Sequence, residues 1–530
     1  MTRLSSRRSL VAGALATALL GGLAAAAPSS AAEPTITNDC LLSVPEPGSQ
    51  APVKICYTLF QPAGASAERP VPVVMHGHGW GGSRTRTVSP DFKPLLDAGY
   101  GILSFDQRGF GESSGRAHTL QVDIEGHDVL RLVDLIAAQP WVRKEGGKDD
   151  PVLGAMGGSY GGGYQYLGAF ADQLYNKRNR FDALAPEITW NDLKQALAPD
   201  EVARSTWLTL LTAVSTQDND ERAQRAFAYG AATGLWADGP VAQALDADMD
   251  AYFEKTGPRW HVAQGRQLDI PTLVRQGTND TLFNLNEAVR NFDSTLTPKA
   301  RSRSMLIGYN GGHILPGLAN SAVPRGASTN GDPCSAALGG GWEALRKAFF
   351  DRNLKKDDSV TIPGLGQYHL ATTDAKRCVT LDSVAPTTTV ALGTVATPVV
   401  AGAPLQLELG AGPMTVAGMP RVDALVTAAG AHAKAFFGLA VGTSPADATV
   451  VHNQLMPLHE EVPLVGSERS VELPGVAVDV PAGQKLFLTV TPFVDQFHGN
   501  GSRTPGALVL RDTKVQLPVV PTPVAVAPAR

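Results

Sequence analysis

Between residues 71 and 170, short continuous apolar runs alternate with stretches whose apolar positions recur every three to four residues. Val71–Met75, Tyr100–Phe105 and Val152–Met156 have the length and composition of strands buried on both faces. Between them, Leu120–Gln139 carries Val129, Leu130, Leu132, Val133, Leu135 and Ile136 on one wide stripe, the pattern of a helix packed on a sheet. Strands alternating with such helices predict a parallel sheet with crossover helices. Over 175–265 the texture changes to Ala, Leu, Asp and Gln with few β-branched runs, which predicts helices inserted between sheet elements. Strand-like runs return at Pro271–Arg275 and Met305–Ile307, and Gly341–Leu354 reads as a closing helix. From 380 to 520 Val, Thr, Gly and Pro dominate, and short runs recur between turn residues: Thr388–Leu392, Leu405–Leu409, Val422–Val426, Phe436–Val441, Val471–Leu473, Leu486–Val490, Leu508–Leu510 and Val515–Leu517. That is the signal of a β-sandwich or jelly roll. The expected organisation is an α/β core over 33–174 and 266–379, a helical cap over 175–265, a β-sandwich over 380–520 and a tail over 521–530.

The first 32 residues follow a different logic. Arg3, Arg7 and Arg8 precede the Ala/Leu/Gly run Leu10–Ala27, and Ser30 and Ala32 are placed for cleavage before Glu33. Residues 1–32 read as an export signal, so a secreted protein is expected. Ser6-Arg7-Arg8-Ser9-Leu10-Val11 resembles a twin-arginine motif, with an ordinary secretory signal as the alternative. No other run approaches membrane-spanning length, so neither a polytopic membrane protein nor an integral membrane partner is expected. The net charge of -5 lacks the basic footprint of a nucleic-acid binder. Four cysteines allow three pairings. Export favours disulfides, and local pairing gives Cys40–Cys56 and Cys334–Cys378, with buried free thiols as the alternative. There is no C-x-x-C pair to suggest zinc or redox chemistry.

The strongest chemical signal is Gly157-Gly158-Ser159-Tyr160-Gly161, a G-x-S-x-G motif. It follows the run Val152–Met156 and precedes a plausible helix, Tyr164–Leu174, the context of a nucleophile elbow. Ser159 must sit in a tight strand-to-helix turn, where side chains at 157 and 161 would meet neighbouring backbone. A serine needs a base, and the base an orienting carboxylate. His313, in Tyr309-Asn310-Gly311-Gly312-His313, follows the strand Met305–Ile307, and Asp280 follows the strand Thr272–Arg275. Both lie at the carboxyl ends of strands, where open α/β sheets bind ligands. The order Ser, Asp, His is that of the α/β-hydrolases. His369 is the rival base and Asp269 the rival acid. For the oxyanion hole the backbone N–H of Tyr160 is one candidate donor, and that of His78 or Trp80, in His76-Gly77-His78-Gly79-Trp80, the other. His76 and His78 could suggest a metal, but the loop needs none. Asp106 and Arg108 read as a buried pair bracing the elbow. Trp190, Trp207 and Trp236 either shape a substrate pocket or pack the cap.

These features together resemble the α/β-hydrolases grouped with X-prolyl dipeptidyl peptidases (peptidase family S15), bacterial cocaine esterase and α-amino acid ester hydrolases. The likeness is carried by Gly157–Gly162, Gln139-Pro140-Trp141-Val142, Ala185-Pro186-Glu187, Gly277…Asp280-Thr281-Leu282-Phe283 and Phe349–Lys355. It is also carried by the order of hydrolase core, cap, core and β jelly roll. The resemblance implies Ser159, Asp280 and His313 as the triad, no cofactor or metal, and a small ester, amide or peptide substrate. Relatives often carry a Tyr in the first oxyanion loop, and this chain has none there. Glu187 is the candidate partner for a substrate amine. An esterase or acyl hydrolase is the expected activity. The alternatives are an X-prolyl dipeptidyl aminopeptidase and a non-catalytic binding protein on a hydrolase scaffold.

Overall fold

The computed structural model describes residues 33–215, 218–236, 239–246, 248–315, 330–399, 402–497 and 505–521. The expected export signal, 1–32, lies outside them, as does most of the tail. Ten strands form the main sheet: β1 Thr35–Ser43, β2 Val53–Gln61, β3 Val73–Gly77, β4 Gly101–Phe105, β5 Leu153–Gly158, β6 Ala183–Glu187, β7 Leu273–Gly277, β8 Met305–Tyr309, β9 Tyr368–Ala371 and β10 Cys378–Leu381. Their order is β1-β2-β4-β3-β5-β6-β7-β8-β9-β10. From β4 to β9 neighbours run parallel. The edges are antiparallel: β1 to β2, β2 to β4, and β9 to β10.

The central strands are apolar throughout because both faces are covered. Val73, Met75, Leu103, Phe105, Leu153 and Ala155 face a cluster with helices Glu125–Ala138 and Tyr160–Ala171. Their neighbours Val74, Ile102, Val152 and Met156 face Phe349, Phe350 and Leu354 of helix Trp342–Leu354 on the opposite side. Two departures from the sequence reading stand out. The helix expected from Leu120 starts at Glu125, because Thr119 and Leu120 adopt positive φ. Strand β6 lies inside the stretch read as helical insert. Ala183-Leu184-Ala185 has little strand propensity of its own, and burial between β5 and β7 decides its state. The helical insert proper follows β6, with short helices from Leu193–Leu197 to Pro258–Ala263.

Beyond β10 the chain forms antiparallel sheets, one ordered Thr388–Pro398, Ala507–Leu517, Arg421–Ala429, Leu464–Glu472. A second is built on Leu405–Ala411, Lys485–Thr491 and Ala433–Gly442. Their inner faces share a separate apolar cluster, as in a sandwich. The runs 508–510 and 515–517 are two ends of one strand, interrupted at Asp512 with φ 50°. Cys40 and Cys56 face each other across β1 and β2 and are bonded, as are Cys334 and Cys378. Among the described residues no helix is long and apolar enough to cross a membrane.

Candidate active site

Strand β5 ends in Gly157-Gly158 and the next helix begins at Tyr160, so Ser159 is the hinge between them. Its backbone sits at φ 58° and ψ -121°, a region sparsely populated by residues with a side chain. Its neighbours hold it there. Ser159 N–H donates to the Glu187 carbonyl on β6 at 2.9 Å, and the Ser159 carbonyl accepts from Gly162 and Gly163 N–H. The flanking glycines allow β3 to approach. A Cβ at Gly157 would lie 2.4 Å from the Gly77 carbonyl oxygen, and one at Gly161 only 2.0 Å from it.

Asp280 and His313 leave the carboxyl ends of β7 and β8, beside β5 across β6. Their loops are stitched together: Thr278 N–H donates to Tyr309 O, Asn279 N–H to Gly311 O, and Thr281 N–H to His313 O. His313 Nδ1 lies 2.7 Å from Asp280 Oδ2, and His313 Nε2 lies 3.0 Å from Ser159 Oγ. A carboxylate only accepts, so Nδ1 carries the proton and Nε2 accepts from the serine hydroxyl. Asp280 is fully buried, yet its oxygens are well supplied with donors. Oδ1 accepts from Leu282 and Phe283 N–H at 2.9 and 2.7 Å, and Oδ2 accepts from His313 N–H at 3.0 Å. The imidazole is walled by the edges of Trp207 and Phe283, with centroids 5.9 and 5.3 Å away.

The other candidates stand elsewhere. His369 sits on β9 with Nδ1 on Thr380 Oγ1 and Nε2 on the Gly364 carbonyl, and burial lowers its pKa. Asp269 is tied to Lys299 and Arg303 at the surface. The His78 ring accepts from Gln107 N–H through Nε2 and donates through Nδ1 to its neighbour's carbonyl, Gly79 O. His76 Nδ1 meets Ser104 Oγ, and burial lowers its pKa to about 4. The first loop passes the nucleophile at Gly79, where a Cβ would lie 3.8 Å from Ser159 Cβ. Trp80 then packs on Tyr160 at 4.9 Å, and its N–H group Nε1 reaches Ser215 Oγ in the cap. Asp106 and Arg108 do not pair with each other. Asp106 pairs with Arg84, whereas Arg108 pairs with Asp128 and Glu46. Two arginines close in space, not the nearest in sequence, satisfy the two acidic sites. Glu187 is not available to an amine: its carboxylate accepts from Arg275 at 2.8 Å and from Trp342 Nε1 at 2.9 Å.

A narrow cavity of about 30 Å³ opens beside Ser159. Trp80, Trp190, Leu193, Leu197, Phe227 and Phe283 form most of its wall, and among the described residues no carboxylate or amine lines it. Of the three cap tryptophans, Trp190 lines this pocket, Trp207 packs on His313, and Trp236 packs on Phe253 within the cap. Sequence reasoning missed Leu193, Leu197 and Phe227, because an apolar residue in a short helix carries no mark of facing a substrate. Phe283 carries only a family likeness in the sequence.

A sequence model of the X-Pro dipeptidyl-peptidase (S15 family) matches residues 51–314, a span that includes Ser159, Asp280 and His313. An uncharacterized 31.7 kDa protein in the traX-finO intergenic region of Escherichia coli is 29% identical over 102 residues, 19% of this chain and 34% of that protein. The chain thus spans about a third of the length of that curated relative. Among solved structures, a CocE/NonD family hydrolase from Staphylococcus aureus aligns with a TM-score of 0.60 at 13% identity, covering 91% of this chain and 97% of that one. An α-amino acid ester hydrolase aligns with a TM-score of 0.60 at 12% identity, covering 95% and 100%. An aminopeptidase from the marine sediment archaeon Thaumarchaeota archaeon gives 0.59 at 14% identity, covering 92% and 97%. At such identities these structures establish the fold, an α/β-hydrolase core with a C-terminal β-sandwich. Over residues 51–314, just under half of its length, the chain is similar to the X-Pro dipeptidyl-peptidase (S15) family.

Proposed function

We propose that this protein is an exported esterase that cleaves esters with an apolar acyl group, using Ser159, His313 and Asp280 as its triad. Ser159 Oγ attacks the ester carbonyl carbon while His313 Nε2 takes the hydroxyl proton. Asp280 keeps the imidazole in the tautomer and orientation that this requires. The tetrahedral oxyanion is held by the N–H of Tyr160, the first helical residue, which has no carbonyl partner within its helix. The N–H of His78 or Trp80 supplies the second donor. Collapse of this intermediate passes the proton from Nε2 to the departing alcohol and leaves an acyl-serine. Water, deprotonated by His313, then attacks the acyl carbon, and the acid leaves as Ser159 regains its proton.

The observation that carries the ester reading is the wall of the pocket. It is aromatic and aliphatic, and Glu187, the expected amine partner, is engaged by Arg275 and Trp342. A free α-amine placed there would lose its hydration without gaining a counter-charge. The family match favours a second reading, release of X-Pro dipeptides. Export is supported by the two disulfides, which belong to oxidising compartments. Hydrolysis of p-nitrophenyl butyrate and of Ala-Pro p-nitroanilide by the wild type separates the readings. Turnover of the ester alone is expected. Efficient cleavage of the anilide would replace the esterase reading with the peptidase one. Turnover of neither would favour a binding protein.

A further inference from the structure

Arg204 stands just before the cap helix Ser205–Ala213 and is 2% exposed. Its guanidinium donates only to neutral groups. Nε donates to the Ala196 carbonyl at 2.8 Å, Nη1 to the Thr281 carbonyl at 3.1 Å and to Gln496 Oε1, and Nη2 to Met456 Sδ at 3.6 Å. The Phe497 ring covers it, with its centroid 5.0 Å from Cζ. Among the described residues no carboxylate reaches ion-pairing distance. Another deeply buried arginine, Arg108, shows the usual solution, with Asp128 at 2.7 Å and Glu46 at 3.0 Å. An unpaired buried cation is costly, so its persistence asks for a reason.

Two facts supply one. Burial pulls the Arg204 pKa down to about 10, while the negative charges of Asp280 and Glu287 resist that shift, so the group stays charged at neutral pH. Glu287 is already occupied by Arg290 and by the N–H groups of Asn191 and Asp192. Among the described residues Asp280 meets no cation directly except, when protonated, His313. Arg204 also holds Thr281, whose N–H and Oγ1 both donate to the His313 carbonyl at 2.9 Å. Trp207 Nε1 donates to the same Thr281 Oγ1 at 3.1 Å. The guanidinium thus joins the cap, the Asp280 loop and the β-sandwich residues Met456, Gln496 and Phe497.

We propose that Arg204 is a positioning residue, whose uncompensated charge and grip on Thr281 set the electrostatics of the Asp280–His313 pair. This rests on the triad reading above. The β-sandwich contributes by keeping that cation dry and unpaired. Loss of the positive charge favours imidazolium over neutral imidazole at His313. The neutral form is the base, so activity then begins at higher pH.

The test is the pH dependence of kcat/KM for p-nitrophenyl butyrate, with thermal unfolding as a check on folding. Arg204→Met and Gln496→Glu are each expected to move the acid limb upward by about half a pH unit or more. Gln496→Glu does so by placing a carboxylate against an intact guanidinium. Gln496→Met removes both hydrogen bonds of the amide without adding charge and is expected to keep the wild-type limb, as is Arg204→Lys. If Arg204→Met does not fold, the Gln496 pair decides. A Gln496→Glu limb that coincides with that of Gln496→Met overturns the proposal. Ser159→Ala, assayed alongside, separates the two layers: full activity there removes the triad reading itself, whereas an inactive Ser159→Ala with unmoved limbs removes only the role of Arg204.

Discussion

The two walls that meet at Ser159 are built on opposite principles. The polar wall comes from strand ends: β5 delivers the serine, β7 the aspartate and β8 the histidine. There Asp280 accepts four hydrogen bonds within 3.0 Å, so each partner has one permissible position. The apolar wall comes from the cap and its flanking loops, where Trp190, Leu193, Leu197, Leu211 and Phe227 contribute shape without directional bonds. A directional network fails when one atom is lost. A dispersive wall only changes what fits.

The sharpest break is therefore on the polar side. Ser159→Ala is expected to lower kcat for p-nitrophenyl butyrate by about 10⁴- to 10⁶-fold, with KM little changed. Asp280→Asn, which keeps the shape but presents an amide to Nδ1, is expected to cost about 10⁴-fold. Retention of a tenth of the wild-type rate in either variant would separate this network from the chemistry.

The next effect falls on folding. A methyl at Gly161 would enter the Gly77 carbonyl at 2.0 Å, and both partners are backbone. Gly161→Ala is expected to give little folded protein, or a fall in Tm of several degrees. Gly158→Ala adds its methyl no closer than 3.5 Å to Ile188, and is expected to fold like the wild type. Equal stability of the two variants would show that the elbow does not depend on the approach of β3.

The apolar wall is expected to respond more mildly. Leu211 is only partly buried and lines the pocket, so it tolerates replacement. Leu211→Asp is expected to reduce kcat/KM for the butyrate ester by about 10- to 100-fold, and for the acetate ester by less. A uniform loss across chain lengths would mean that this cavity is not the acyl site.

The same contrast explains what the sequence discloses. Gly157-Gly158-Ser159-Tyr160-Gly161 is legible because chemistry and crowding leave no freedom in those residue types. Asp280 and His313 are legible because each follows an apolar run that had to be a strand. The parallel centre of the sheet is legible for the same reason, since Val73–Gly77, Gly101–Phe105 and Leu153–Gly158 are buried on both faces. Strand β6 is hidden, because Ala183-Leu184-Ala185-Pro186-Glu187 takes its state from its neighbours. The edge strand β1 is hidden because most of its residues face solvent. Ion pairs are hidden as well. Arg84 lies 22 positions from Asp106, and only the fold shows that it, rather than Arg108, is the partner. Arg204 carries no signal at all, since its meaning lies in a carboxylate that is missing.

The smallest expected effect concerns the joint between cap and core. His118 is 1% exposed, with Nε2 on Glu46 at 2.6 Å and Nδ1 3.4 Å from Asp220, while its N–H donates to Glu125 at 2.6 Å. Beside it, Ala117 bonds to Asp218 and Asp220 of the cap, and Thr119 lines the cavity beside Ser159. Burial alone would lower the His118 pKa, but Glu46, Glu125 and Asp220 outweigh it and raise the pKa above 6.5. Glu46 is likewise opposed by burial, yet His118, Arg116 N–H and Arg108 bring it down to about 2. The signs follow from linkage. A raised histidine stabilises fully below its unfolded value of 6.5, and that contribution is lost as pH rises through the folded value. A lowered glutamate stabilises fully above its unfolded value of 4.5, and that contribution is lost as pH falls toward 2. Their joint contribution is therefore greatest between 4.5 and 6.5. In the wild type Tm is expected to fall by about one or two degrees as pH rises from 6.5 through the His118 transition, and His118→Gln is expected to flatten that slope. An unchanged slope in His118→Gln would assign the alkaline loss of stability to other groups and leave the cap held by backbone bonds alone.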